Sequence, residues 1–364
     1  MSHQTISSNS RVCAAWLYPK PKKELLDGIE KGVMPDKLSG FSFMESYGVD
    51  SILIDPYDFP LNPLGSKHSL YAGIDFARAI RVILNKTKYD VIFSVGESSM
   101  LFFVLFRQIF HVKLPPLIVW DPALTTEWKL RYRILKYILP RLNKILVIGQ
   151  NQVDFVEQHF NCGDKCEVIP HWIDCDFFDP NKASYLDNNE PYILTVGNDA
   201  GRDYSTLQKA VELVEIKTIF KTSLVQENND PNVLINKEFL SFIELRDLYA
   251  NAKFVVVPLH NTIHAGGING IQEAMAMGLP TIVSRSDGIM DHVVDGITSI
   301  IVEPGDVQQL VNAINTLNTN TTLAKEMGEN ARKFVKNKFD SPLLAERLAK
   351  TFNSAVKSMN GTFD

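Results

Sequence analysis

At 364 residues the chain is too long for one ordinary domain and comfortable for two of about 170–180 residues each. Its 45% hydrophobic and 22% charged residues are a globular composition able to build two full cores. The net charge of −5 argues against nucleic acid as a bulk partner, and no stretch reaches the roughly 18–20 uncharged apolar residues of a membrane-spanning helix.

Residues 2–10 (SHQTISSNS) are polar and lack the apolar segment of a secretory signal, so a cytoplasmic protein is expected. The four cysteines suit a reducing compartment. From there short apolar strands alternate with amphipathic helical stretches, the pattern of parallel α/β sheets. Strands are predicted over 12–17, 51–54, 91–94, 117–119, 145–148 and 168–169. A polar run over 179–191 (DPNKASYLDNNEP) reads as the link to a second half. That half carries strands over 192–196, 233–235, 254–258, 281–283 and 299–302, and helices over 322–337 and 342–358 close the chain.

Two segments of the first half stand out. Residues 100–106 (MLFFVLF) make a helix that is apolar nearly all round. Residues 128–144 (WKLRYRILKYILPRLNK) carry six basic residues and no acid, with Trp128, Tyr132, Leu135 and Leu139 at helical spacing. Such a helix suits an anionic membrane surface, peripheral at the inner face; equally it suits packing on the sheet with a solvated basic face. Cys162, Cys166, His171 and Cys175 outline a C-x3-C-x4-H-x3-C pattern, but the spacing misses a zinc knuckle and the strand end over 167–170 would spread the side chains, so no metal site is expected.

The run over 253–305 is the most informative. After the apolar strand 254–258 comes a polar, glycine-rich loop over 260–270, then a helix with Ile271, Ala274, Met275 and Gly278 on one face and Glu273 on the other. Free backbone N–H groups and a positive dipole end at such a helix start form an anion site. Gly266, Gly267 and Gly270, with Asn269 between them, allow backbone to approach a phosphate, although they do not make the G-x-G-x-x-G of a dinucleotide fold. Open α/β sheets bind ligands beyond the carboxyl ends of their strands. That rule also marks Arg202, a diphosphate-binding candidate whose guanidinium fork can bond two oxygens. It also marks His264 beside the glycine loop as a binding candidate, and Asp121 and Glu97 as cleft-facing binding or catalytic acids.

The longer pattern resembles the family-four retaining glycosyltransferases of GT-B fold. Glu273-Ala274-Met275-Ala276, Gly278, Pro280, Asp287-Gly288, Val294-Asp295-Gly296 and Pro304-Gly305-Asp306 follow that family's C-terminal signature in order and spacing. Asp174-Cys175-Asp176-Phe177-Phe178 is similar to the motif that ends the family's first domain, and 192–207 to the strand and loop that open its second. The resemblance implies two Rossmann-like parallel-sheet domains facing across a cleft. Residues 1–178 would bind the acceptor and 179–341 the donor, with helix 342–364 packing back on the first domain.

The activity implied is transfer, with retention of configuration, from a UDP- or GDP-linked sugar to a glycan, lipid-linked or small-molecule acceptor. No metal or other cofactor is expected, and Asp174 and Asp176 are not assigned one. By the resemblance Glu273 holds the nucleotide ribose and Arg202 takes the place of the family's diphosphate lysine. Asn198 stands where the family has arginine, and Ala265 where it has the first, sugar-contacting glutamate of an E-x7-E pair. These departures keep open an alternative, a catalytically silent GT-B subunit that binds nucleotide and supports a partner transferase. A nucleotide-sugar epimerase is a further alternative, and a NAD-dependent oxidoreductase ranks last.

Overall fold

The computed structural model describes residues 11–18, 22–54, 76–97, 99–122, 124, 126–185, 190–228 and 230–360. The polar residues 2–10 and the middle of the 179–191 link lie outside them. Among the described residues twelve strands form two six-stranded sheets whose neighbours are all parallel. The first sheet joins β1 (Val12–Leu17), β2 (Val49–Ile54), β3 (Val91–Val95), β4 (Leu117–Trp120), β5 (Lys144–Val147) and β6 (Cys166–Val168) in the order β2-β1-β3-β4-β5-β6. The second joins β7 (Tyr192–Val196), β8 (Lys217–Lys221), β9 (Val233–Asn236), β10 (Ala252–Val257), β11 (Thr281–Ser284) and β12 (Ser299–Val302) in the order β12-β11-β10-β7-β8-β9.

Both sheets are buried on two faces by helices, which is why their strands read as continuous apolar runs. The second order is the doubly wound pattern that reverses between β7 and β10, and the first reverses between β1 and β3. At such a switch point the loops leave in opposite directions and open a crevice. The fold thereby places the loops after β7 and β10 side by side, before any side chain is considered.

β1, β7 and β12 match the expected strands, and most others shift by one or two residues. β6 ends the first sheet at Val168, and Ile169 adds only an N–H bond to the Val147 carbonyl, 2.8 Å. β8 is not among the strands the sequence singles out. Its core is only Ile219 and Phe220 between lysines, and it is a strand because β7 and β9 pair with it on both sides.

Two crossings tie the halves together. Ile173 pairs with Asp340 as an isolated bridge, through Ile173 N–H to the Phe339 carbonyl (2.8 Å) and Ser341 N–H to the Ile173 carbonyl (3.0 Å). The last helix, Ser341–Asn360, then lies on the first sheet, where Phe352 meets Phe93 and Trp16 with ring centroids 5.2 and 6.1 Å apart. Asp174 is used structurally: its carboxylate accepts the N–H groups of Asp36 (2.9 Å), Asp176 (3.1 Å) and Phe177 (2.9 Å). Cys162 and Cys175 sit in cores of different halves, and among the described residues no group of three or more His, Cys, Asp or Glu is arranged to hold a metal.

Behind the crossing, Gln272 Oε1 bonds His171 Nδ1 at 2.8 Å, its amide donates to the His171 carbonyl at 2.9 Å, and it lies 3.4 Å from His292 Nδ1. Burial lowers both imidazoles to about 4. A base whose folded pKa is depressed binds its proton in the unfolded chain first, so it withdraws stability as pH falls from its unfolded value towards 4. His292→Gln removes one such group. Between pH 6.5 and 4 its melting temperature should therefore fall less steeply than the wild type's; parallel curves would contradict a buried, neutral His292.

Candidate active site

The loops after β7 and β10 are zipped together. Arg202 and Leu259 form an isolated antiparallel bridge, Asp203 N–H donates to the Pro258 carbonyl (3.1 Å) and His260 N–H to the Gly201 carbonyl (2.9 Å). The glycine loop then feeds the helix Ile268–Ala276. That helix begins three residues earlier than the apolar spacing suggests, so Asn269 and Gly270 belong to its first turn. Gly267 is its N-cap at φ 78, a left-handed conformation, and a Cβ there would lie 2.7 Å from Val257 and 3.0 Å from Leu259. The first helical bond runs from Ile271 N–H to the Gly267 carbonyl (3.1 Å), so the helix does not use the N–H groups of Gly267, Asn269 and Gly270. The Gly266 N–H differs from the expectation: it donates to the His264 carbonyl at 2.8 Å.

Arg202 lies across Gly197, where a Cβ would overlap its guanidinium. The side chain is only 2% exposed; Nε donates to Asp199 Oδ2 at 2.7 Å, and Nη1 is buried without a partner among the described residues. A buried guanidinium nitrogen left without an acceptor is costly unless a ligand completes it. Glu273 stands across the pocket. The helix is buried all round rather than on one face, and Glu273 is a buried acid, not a solvated one. Tyr249 donates to it at 3.0 Å and the Lys37 ammonium is 3.7 Å away. Burial raises its carboxyl above the usual range, against the lowering pull of Lys37, Tyr249 and Arg202.

Asn198, Arg202, Gly266, Gly267, Asn269, Gly270 and Glu273 together line a pocket of about 400 Å³. Asn198 only borders it. Its side-chain oxygen accepts from Ser223 N–H (2.6 Å), Ser223 Oγ (3.0 Å) and Thr222 Oγ1 (3.0 Å), which fastens the loop to the end of β8.

His264 belongs to a neighbouring cavity of about 590 Å³, where Asn261, Thr262 and His264 face Leu124, Glu127 and Phe155 of the first half. Burial holds its imidazole below the usual value, helped by Arg131 and opposed by the Leu124 backbone and Glu127. Glu97 and Asp121 meet at the ends of β3 and β4 but do not line the Arg202 pocket. Asp121 is held at φ 49, and burial together with Glu97 pushes its carboxyl up to about 6. Glu97 is buried and ion-paired with Arg131. Arg131 thus turns inward, away from the basic surface that its sequence neighbours suggest.

Sequence reasoning missed Lys37 and Tyr249, whereas the pairing of Arg202 with Asp199 is within its reach. Lys37 and Glu273 are distant in sequence, and Tyr249 sits in a helix whose spacing marks it only as core. No local signal could have found either.

Two doubly wound sheets facing across a cleft, with a helix N-terminus and a buried arginine at the second switch point, define a GT-B fold. Residues 221–334 match the family Glycosyl transferases group 1, and residues 39–177 match Glycosyltransferase Family 4. The chain belongs to these glycosyltransferases. The capsular polysaccharide biosynthesis glycosyltransferase CapM of Staphylococcus aureus is 34% identical over 132 residues, 36% of this chain and 33% of its own. The uncharacterized glycosyltransferase MJ1069 of Methanocaldococcus jannaschii is 25% identical over 119 residues, 32% of this chain and 30% of its own. The matches thus span about a third of these curated relatives' length.

Among solved structures, a glycosyltransferase from Rickettsia africae ESF-5 superposes with a TM-score of 0.70 at 15% identity, over 96% of this chain and 100% of that one. Anabaena Alr3699/HepE in complex with UDP-glucose gives 0.68 at 16% identity, over 94% and 99%. WaaG, a glycosyltransferase involved in lipopolysaccharide biosynthesis, gives 0.59 at 16%, over 93% and 99%. At these identities the likeness is one of fold.

Gly267 tests the loop's geometry directly. Gly267→Ala forces a Cβ into a left-handed position against Val257 and should destabilise the protein by at least about 1–2 kcal/mol. Urea unfolding measures this; an unchanged midpoint would contradict the left-handed cap.

Proposed function

We propose that the protein is a retaining glycosyltransferase that moves a sugar from a nucleoside diphosphate donor to an acceptor held by its first half. The observation that carries this reading is the pairing, across one pocket, of a buried, half-satisfied Arg202 guanidinium with a buried Glu273 carboxylate, on the helix whose N-terminal turn lines the same pocket. The guanidinium and the helix-end N–H groups match a diphosphate, and the carboxylate matches a ribose diol. As the sugar bond breaks, negative charge grows on the leaving diphosphate. Arg202, the N–H groups of Gly267, Asn269 and Gly270 and the helix dipole stabilise it there, as preorganised groups that need not reorient. Turnover should accordingly survive excess EDTA, and a strict requirement for magnesium or manganese would contradict this assignment.

The cavity bounded by His264, Asn261, Glu127 and Phe155 is the acceptor's place beside the donor sugar, with Asp121 and Glu97 at the first sheet's ligand edge. Ala265 packs against core clusters of both halves, so no acid contacts the donor sugar from that position. This departure is what sustains the silent-subunit reading. Transfer and hydrolysis assays with a panel of UDP- and GDP-sugars separate the two: product of retained configuration supports the enzyme, and nucleotide binding without turnover across the panel supports the subunit.

The donor itself follows from Glu273. Glu273→Ala should weaken nucleoside diphosphate binding by roughly ten- to a hundredfold, the worth of a charge-assisted hydrogen bond. Ala265→Glu should instead change which donor sugar is preferred, with nucleotide affinity little altered. Undiminished nucleotide binding in a folded Glu273→Ala protein would place the donor elsewhere.

A lipid-linked acceptor accords with the surface of the helix Lys129–Ile138. Leu135, Ile138 and Leu139 go into the core, while Trp128 and Leu130 stay 63% and 74% exposed beside the exposed Lys129, Arg133 and Lys136. Among the described residues no helix is long and apolar enough to cross a membrane. Each basic residue near an anionic surface contributes about 1 kcal/mol. Replacing Lys129, Arg133 and Lys136 with Gln should therefore abolish sedimentation with anionic vesicles and leave nucleotide binding intact. If the wild type ignores such vesicles at low salt, the basic face is merely solvated.

A further inference from the structure

We infer that Lys37, from the first half of the chain, is the second cation of the donor site and contacts the donor's diphosphate. The inference rests on the donor-site reading above and goes beyond it. It starts from charge. Among the described residues lining the Arg202 pocket, Arg202 is the only cation, and Asp199 and Glu273 are acids. A sugar nucleotide brings a diphosphate anion to this already negative lining. One arginine, half engaged by Asp199, leaves that site short of positive charge, and Asn198 carries none.

Lys37 does not line that pocket but stands beside it, next to Glu273. Its ammonium is 3.7 Å from Glu273 Oε1, and it sits over the Phe242 ring, 5.2 Å from the centroid. A second cavity of about 360 Å³, lined by Tyr18, Asp36, Lys37, Asn269 and Glu273, shares its last two residues with the donor pocket. A ribose bonded to Glu273 carries its own 5′-phosphate across the furanose ring, and the flexible four-carbon stem of Lys37 lets its ammonium lean from Glu273 towards that phosphate. At 3.7 Å the ion pair is longer than a hydrogen bond, and an ammonium has three donors, so Lys37 can keep Glu273 and still reach a phosphate oxygen.

The flanking backbone is fixed in advance. Asp36 N–H donates to Asp174 at 2.9 Å and Leu38 N–H to Asp36 Oδ1 at 2.8 Å, so the residues on both sides of Lys37 are anchored to the crossing between the halves. A lysine held this way gives up less freedom on binding than a surface one. The donor site is then built from both halves: the arginine, the amides and the ribose acid from the second, and this ammonium from the first.

The test compares Lys37→Met, Lys37→Gln and Lys37→Arg with the wild type, using UDP, GDP, uridine and guanosine as probes, by calorimetry and by NMR titration for the weak nucleosides. Thermal melting checks that each variant folds, and Gln serves if Met does not. Lys37→Met should weaken nucleoside diphosphate binding by roughly ten- to a hundredfold and leave nucleoside binding unchanged, with Arg restoring most of the loss. Equal losses for nucleoside and diphosphate would mean that Lys37 only positions Glu273, and no loss would mean that it only pairs with it; either result overturns the inference. Diphosphate binding lost in Arg202→Met but kept in Lys37→Met removes this inference alone. A wild type that binds neither UDP nor GDP removes the donor-site reading with it.

Discussion

A guanidinium that is 2% exposed must be neutralised and hydrogen-bonded or it will not stay buried, and the second half of this molecule is arranged around that demand at Arg202. Asp199 takes one edge of the fork. Gly197 gives up its side chain so that the plane can lie on the backbone, and Gly267, in a left-handed conformation, brings the helix N-terminus against the other side. Among the described residues its Nη1 finds no acceptor. On the proposed function an anion in the crevice would complete what the fold leaves unfinished, so binding and local stability would draw on the same interaction.

The crevice exists because strand order reverses between β7 and β10, which sets their following loops next to each other. The first sheet has its own reversal between β1 and β3, and the two ligand edges are brought together by the paired crossings at Ile173 and Asp340. Asp174 organises this region with both carboxylate oxygens, holding the turn at Asp176 and Phe177 and the segment that carries Lys37. One structural acid thus links the joint between the halves to the rim of the donor pocket.

The sequence revealed what is local. The strands and the anion-binding loop could be read because each is a contiguous pattern, and Glu273, Arg202 and the glycines do fall around one pocket. The helix start was misjudged because a left-handed Gly267 cap leaves no mark in apolar spacing. β8 escaped notice because its strand character comes from its neighbours. The burial of Glu273 could not be read either: position 273 breaks the apolar stripe, and only the fold shows Tyr249 and Lys37 waiting for its carboxylate. The Glu97–Arg131 pair is a similar case, since it turns one residue of an apparently solvated basic run into the interior.

On the proposed function the backbone at the start of the helix Ile268–Ala276, together with Arg202, cradles a diphosphate. Amide hydrogen exchange reads those N–H groups themselves. With saturating UDP or GDP, peptides covering 196–203 and 264–273 should exchange markedly more slowly, while those over β12 and the helix Val307–Thr319 stay unchanged. Protection that leaves 264–273 untouched, with nucleotide demonstrably bound, would contradict the account.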